Sequence, residues 1–298
     1  MHESLLKVKF ASSVLFFRGD DYKFNKSIAM KNKNVKIKKT PISYYGGKQM
    51  MLPRILPLIP EHKIYVEAFF GGGAVFWSKD QSNVEVINDL NGQVINFYRQ
   101  LKDNSEALKK RIESTPYSRE SYKQAMVVYN APYLFDEVTR AWSFWVATVQ
   151  GFSNKIGSWR CAQNTNKECV LLENKKLLIG DDTSERLKYV QIESKDAVKL
   201  IKKHDTPETF FYLDPPYVDS NQGHYGGYMQ EHFNELLDTL KTIKGKFLLS
   251  SYPNTRLKEL TDSEGWNSIG NDLPLSASSR SGKRKVEMLT FNYDCNAI

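Results

Sequence analysis

The tetrapeptide Asp214-Pro215-Pro216-Tyr217 concentrates more chemistry than any other stretch of the chain. Within four residues it offers a carboxylate, a backbone carbonyl with no competing proline N–H, and an aromatic ring. That set suits a flat base bearing an exocyclic amine. The lone pair of such an amine is drawn into the ring, so a site that methylates it must return density to nitrogen and exclude water. Asp214 and the Pro215 carbonyl could each accept one amine hydrogen. Tyr217 could stack on the base, a contact worth about 1–3 kcal/mol. A base inside a duplex must first be flipped out to reach such a site. The bland alternative is a Pro-Pro turn with Asp214 as turn former, so other segments have to decide.

A second group of residues suits a nucleoside-bearing cofactor. Tyr65-Val66-Glu67-Ala68 runs into Phe69-Phe70-Gly71-Gly72-Gly73, a strand entering a glycine turn over which backbone can approach a ligand closely. The spacing lacks the third glycine of a dinucleotide fingerprint, because Phe76 stands there. This argues against a nicotinamide or flavin enzyme. Eighteen residues after Gly71, Asp89 ends the next apolar run. A carboxylate at that point can hold two ribose hydroxyls; its structural alternative is a helix N-cap before Leu90. S-adenosylmethionine, a nucleoside without a pyrophosphate, satisfies both observations. Upstream, Tyr45-Gly46-Gly47-Lys48 forms another glycine turn. Taken alone, Lys48 reads as a solvent-facing lysine; beside the other loops it could contact the cofactor.

These residues need a scaffold. Strands are expected at Lys63–Ala68, Val84–Asn88, Tyr189–Glu193, Thr209–Leu213, Lys246–Ser251 and Val286–Tyr293. Most are continuous apolar or β-branched runs, as in a sheet covered on both faces. Helical segments alternate with them. The clearest, Tyr228–Lys244, aligns Phe233, Leu236, Leu237, Leu240 and Ile243 on one stripe and ends at Gly245. This is the pattern of an α/β doubly wound sheet. Residues 91–181 break the rhythm with helices expected at Gln93–Lys102, Ser105–Ser114, Ser118–Asn130 and Asp136–Gln150. A turn-rich piece (151–166) and a strand-like run, Glu168–Leu172, follow. The aromatics Trp142, Phe144 and Trp145 read as the core of a helical subdomain. A helical insertion in such a sheet is a candidate recognition domain, and its turn-rich piece, with Asn154, Lys155, Ser158 and Arg160, a candidate DNA-reading hairpin. Arg119, opening the third helix, joins these as a candidate DNA contact.

With 298 residues and 41% hydrophobic content the chain can bury a full core, and no apolar run is long enough to span a membrane. No signal peptide is read at the N-terminus, where Val14-Leu15-Phe16-Phe17 is a short apolar patch. Cys161, Cys169 and Cys295 form neither a CxxC pair nor a metal spacing, which fits a reducing cytoplasm and a site without metal. The net charge of +8 is an N-terminal feature. Residues 1–48 hold 11 Lys and Arg against 3 Asp and Glu, and the remaining 250 hold 31 of each. A polyanion partner and a solvated basic arm both account for this. A second basic cluster, with Arg280, Lys283, Arg284 and Lys285, lies in a Ser/Gly-rich stretch that could touch phosphates.

Taken in order, the motifs resemble those of the Dam-like family of N6-adenine DNA methyltransferases. Tyr45-Gly46-Gly47-Lys48 is similar to its amino-terminal motif, Glu67–Gly73 to its E-P-F-x-G-x-G loop and Asp89 to its ribose-binding acid. Asp196 is similar to the acid that contacts the cofactor's adenine. Asp214–Tyr217 resembles the catalytic motif, Gly151–Asn154 with Gly157 a recognition-domain loop, and Glu287-Met288-Leu289 with Asn292-Tyr293 the closing strand. The resemblance spans residues 41–293 and departs at Ala68, where the family usually has proline. It implies S-adenosylmethionine as donor, bound by Tyr45, Gly46, Gly47, Lys48, Glu67, Phe69, Gly71, Gly73, Asp89 and Asp196. It implies a flipped adenine of double-stranded DNA as acceptor, no metal, and a monomer, and it leaves room for a restriction endonuclease partner. The expected organisation is a basic extension (1–40), a Rossmann-like catalytic domain (41–90 and 182–298) and a mainly helical target-recognition insertion (91–181). Cytosine N4 or RNA adenine as acceptor remain open; an oxidoreductase and a non-catalytic DNA-binding protein fit the motifs less well.

Overall fold

The computed structural model describes residues 37–161, 164–218, 227–274 and 284–294, with backbone only at Asn154, 273–274 and 284–285. It also describes the backbone of a hairpin, β1 (Leu6–Phe10) paired antiparallel with β2 (Ser13–Phe17), which takes in the apolar patch near the N-terminus. Most of the basic run (31–36), together with Arg280, Lys283 and Cys295, lies outside the described residues.

Seven strands form one sheet: β3 (Ile64–Glu67), β4 (Val84–Asn88), β5 (Gln191–Glu193), β6 (Thr209–Leu213), β7 (Lys246–Ser251), β8 (Asn267–Pro274) and β9 (Arg284–Phe291). Their spatial order is β5-β4-β3-β6-β7-β9-β8. The pairs among β3 to β7 are parallel, and β9 runs against both its neighbours. All five residues of β6 are buried, as its uninterrupted Thr-Phe-Phe-Tyr-Leu run requires of a central strand covered on both faces. The chain builds outward from β3 through β4 to β5, then returns to place β6 on the other side of β3. That reversal opens a crevice at the carboxyl ends of β3 and β6, where doubly wound sheets bind ligands. In register, Glu67 lies opposite Tyr212, so the Glu67 and Asp214 loops leave the sheet side by side.

All six expected strands agree with the structure to within two residues at each end; Val286–Tyr293 is displaced most, beginning and ending two residues earlier. One strand of this sheet went unseen, as did β1 and β2 outside it. β8 carries Gly270, Asn271, Asp272 and Pro274, residues depleted in strands, and it tolerates them because it is an edge. One assignment is corrected: Glu168–Leu172 is not a strand but the first part of a helix, Lys167–Lys176. Its Cys-Val-Leu-Leu run has the length of a strand. The Lys and Glu residues on both sides, which are good helix formers, and the packing of buried Leu172 decide for helix.

The helices Gly92–Asp103, Ser105–Glu113, Arg119–Asn130 and Glu137–Val149 lie where the sequence placed them. Asn91, Ser118 and Asp136 cap three of them, each accepting a backbone N–H near the helix start. Trp142, Phe144 and Trp145 are buried, but their core is continuous with one face of the sheet, through Phe97, Tyr98, Phe70 and Tyr65. The opposite face packs Phe211, Leu213, Phe247 and Leu249 against the helix Gln230–Leu240. Each fully buried side chain of this size contributes roughly 1.5–3 kcal/mol.

Lys175 and Trp145 help fasten the helical segment to the rest. Lys175 reaches across to donate to the carbonyls of Thr40 and Ile42, and the Trp145 indole donates to Pro41 O at 3.1 Å. Among the described residues no helix is long and apolar enough to cross a membrane.

Candidate active site

The crevice between β3 and β6 gathers Lys48, Glu67, Asp214, Tyr217 and Glu287. Asp214 follows directly on β6, where the two prolines stop the chain from pairing further. Its side chain is 19% exposed, enough for one face of the carboxylate to meet a ligand. Lys48 Nζ lies 2.7 Å from Asp214 Oδ1 and 3.5 Å from Glu287 Oε1. It also donates to Gly46 O at 3.0 Å and stands 4.9 Å from the centroid of the Tyr217 ring. Lys48 is therefore not a solvent-facing lysine; it is 7% exposed and held between two carboxylates. Tyr217 donates its hydroxyl to Glu287 Oε1 at 2.9 Å, and its ring meets Tyr252 with centroids 4.3 Å apart.

Burial sets the protonation states. It pushes Asp214 up to about 6; Lys48 opposes the shift and Glu287 adds to it. Burial alone would lower Lys48, yet Asp214 and Glu287 together raise it, so it stays charged. Glu67, on the neighbouring strand, is pushed up to about 8 by burial, against a 2.6 Å hydrogen bond from the Tyr65 hydroxyl. At neutral pH the crevice thus presents an ionised Asp214 beside a Glu67 that is mainly neutral.

The glycine loop is shaped by its own side chains. Gly73 has φ +64°, and a Cβ there would lie 2.4 Å from the Phe70 ring, which folds under it. Only glycine fits, and it opens the short helix Ala74–Ser78. Asp89 spans two loops: Oδ2 accepts from Gly71 N at 2.8 Å and Oδ1 from Asn91 N at 2.8 Å. The expected N-cap role passes to Asn91, which accepts from Gln93 N at 3.0 Å. Burial pushes Asp89 up to about 6 despite these two bonds. Asp196 caps the helix Ala197–His204, accepting from Lys199 N, and faces Tyr228, whose ring is edge-on to Phe69.

The expected DNA-contacting residues divide. Lys155 places Nζ 4.6 Å from the Tyr45 ring centroid, joining the turn-rich piece to the amino-terminal motif. Arg119 stacks on Trp159 at 4.7 Å, and Arg160 donates to Gly151 O at 2.9 Å, closing the loop. The loop is hairpin-like, with an isolated antiparallel bridge between Gly151 and Trp159. Gly151 is wedged so that a Cβ would meet Lys155 O at 2.3 Å. Ser153 is the only non-glycine residue with positive φ among the described residues. The side chain of Asn154, and Arg280 and Lys283 altogether, lie outside the described residues.

Sequence reading gave no site role to Tyr65, Tyr252 or Glu287, although Glu287 was named in the closing-strand motif. Glu287 left a signal, a carboxylate inside the apolar run Val286–Phe291. Tyr65 and Tyr252 left none, because aromatic residues at strand ends are ordinary core.

A family model, D12 class N6 adenine-specific DNA methyltransferase, matches residues 44–271. Type II methyltransferase M1.LlaDCHI of Lactococcus lactis subsp. cremoris is 28% identical over 281 residues, covering 83% of this chain and 93% of that protein. The DNA N-6-adenine-methyltransferase of Escherichia phage P1 is 32% identical over 102 residues, 33% of this chain and 13% of that one. Modification methylase LlaI of Lactococcus lactis subsp. lactis is 25% identical over 252 residues, and the match spans 40% of its length. The match takes in the glycine loop, Asp89 and the Asp214–Tyr217 loop, and on this evidence the chain belongs to the D12 class of N6 adenine-specific DNA methyltransferases.

Proposed function

We propose that Asp214 and the Pro215 carbonyl accept the N6 hydrogens of an adenine flipped from double-stranded DNA, and that Tyr217 stacks on its ring. The observation that carries this reading is the Asp214 carboxylate, ionised and partly exposed at the sheet's switch point, with Tyr217 at its side. A buried carboxylate acceptor raises the electron density on the amine and stabilises the positive charge that develops on it. Once the new N–C bond has formed, the nitrogen sheds one proton; a carboxylate poised near pH 6 can relay it to water.

S-adenosylmethionine supplies, when bound, a methyl group activated on a sulfonium for in-line displacement. The residues present suit such a cofactor: Glu67, Asp89, Asp196 and Asp214 follow or end strands β3, β4, β5 and β6, all at the carboxyl ends of these parallel strands. Asp89 and Asp196 would hold the nucleoside, Gly71–Gly73 would let backbone approach it, and Glu67 would face the charged end. The same reading assigns residues 91–181 to target recognition, with Lys155 beside Tyr45 of the amino-terminal motif. A restriction partner is consistent with the relatives named as modification methylases.

The test is Asp214→Ala assayed with labelled S-adenosylmethionine and unmethylated duplex DNA. Transfer is expected to fall by about 10²-fold or more, with cofactor affinity little changed. A near-original rate removes Asp214 from the chemistry. Label recovered in N4-methylcytosine keeps the mechanism and changes the base.

A further inference from the structure

Lys48 competes for the acceptor that the proposed reaction uses. At 2.7 Å its ammonium bonds Asp214 Oδ1, one of the two carboxylate oxygens that could accept an adenine amine. An amine that donates to the carboxylate weakens its hold on Lys48, and a cation that shifts away from Asp214 in a buried crevice is best received by another anion. Glu287 is placed for that. It is 3% exposed, lies 3.5 Å from Lys48 Nζ, and belongs to the reversed strand β9. The same Oε1 accepts the Tyr217 hydroxyl at 2.9 Å. Other groups facing Asp214 do not serve: Glu67 is held by Tyr65 and mainly neutral, and Tyr212 bonds to Ser250.

We propose that Glu287 is a positioning residue for the methyl transfer: it receives Lys48 when the adenine amine engages Asp214, and it anchors the Tyr217 hydroxyl so that the ring keeps its place. This rests on the reading of Asp214 as the amine acceptor. Counting the ion pairs, the crevice carries two carboxylates and one ammonium, one net negative charge towards a cationic donor. Removing Glu287's charge leaves Lys48 with Asp214 as its sole anion and makes the pair harder to open. Removing both Lys48 and the Glu287 charge restores the net charge and leaves Asp214 free.

The experiment measures single-turnover transfer into unmethylated duplex DNA by Glu287→Gln, Lys48→Met and the double variant, with cofactor affinity measured separately. Glu287→Gln keeps an acceptor for Tyr217 and is expected to slow the chemical step by at least about tenfold, the factor that 1.4 kcal/mol represents. Its acid limb is expected to move to lower pH, because Asp214 is then paired with Lys48 alone. Glu287→Asp, which keeps the charge, is expected to retain more of the rate than Glu287→Gln. Adding Lys48→Met to Glu287→Gln is expected to recover rate relative to Glu287→Gln alone when all variants are compared above their acid limbs, where Asp214 is ionised in each. Slowing in the double variant equal to the product of the two single effects overturns the proposal, as does an undiminished rate in Glu287→Gln. Asp214→Asn run alongside separates the two levels: if it still transfers methyl groups, the active-site reading itself has failed; if it is dead while the cycle is multiplicative, only the role of Glu287 has.

Discussion

Replacing Lys48 by methionine tests how the crevice holds its charge. The Asp214 carboxylate sits near pH 6 because burial raises it while Lys48, 2.7 Å away, pulls it back. A unit charge about 4 Å from another contributes about 4 kcal/mol at an effective dielectric constant of 20. At 1.36 kcal/mol per pH unit that is roughly 3 units, and opposite charges in this range shift carboxylates by about 1–3. Without Lys48 the Asp214 carboxyl should therefore titrate roughly between pH 7 and 9. The sign for activity follows from its role: the ionised form accepts the amine, so rate is lost as pH falls through the Asp214 value. The wild-type acid limb should lie near pH 6, and the Lys48→Met limb one to three units higher, by about the same argument. The assay is the initial rate of label transfer from S-adenosylmethionine into unmethylated genomic DNA, with both substrates saturating, from pH 5 to about 9.5. If the Lys48→Met rate falls evenly at every pH and the limb stays near 6, the lysine acts on something other than the Asp214 charge, and the electrostatic reasoning is wrong.

Three further outcomes are expected. Gly73→Ala should destabilise the protein by about 1–3 kcal/mol, from positive φ and the Phe70 ring in its way, and cofactor should no longer raise the melting temperature; an unchanged melt with normal cofactor response contradicts this. Lys155→Ala should weaken DNA binding across sequences and lower the salt slope by about 1, and an identical slope removes Lys155 from the phosphate interface. Lys175→Met should cost about 1–3 kcal/mol in denaturant unfolding, because the carbonyls of Thr40 and Ile42 lose a buried donor. Burial, with Lys39 nearby, holds Lys175 down at about 8, against 10.5 when unfolded. Between those values the unfolded chain binds a proton that the folded one does not, so stability should rise with pH through that window. In Lys175→Met that rise should be missing.

The sequence by itself determined the elements and the order in which they present chemistry. Runs such as Thr209–Leu213 are legible because a strand buried on both faces must be apolar throughout. The glycines of the Gly71–Gly73 loop are legible because no other residue tolerates φ +64° above a phenylalanine ring. The Asp-Pro-Pro-Tyr loop is legible because few turns combine an acceptor, two prolines and an aromatic residue. Polar edge strands escape such reading: β8 alternates weakly, and its place beside β9 is decided by pairing rather than by pattern. The role of Asp89 also escaped in part, since whether a carboxylate caps a helix or bridges two loops depends on which N–H comes within 3 Å.

What only the tertiary structure decided is which charges meet. Lys48, Asp214 and Glu287 are separated by more than seventy residues at each step, and no local rule links them. Crossing from β5 back to β6 puts Asp214 beside Glu67, and the reversal of β9 brings Glu287 to the same end of the sheet. Lys48 arrives through a segment pinned by Lys175 and Trp145. Long-range electrostatics depends on distance and on exclusion of water, and both are products of packing. The types of residue were written in the chain; their protonation, their partners and the order in which they must part came from the fold.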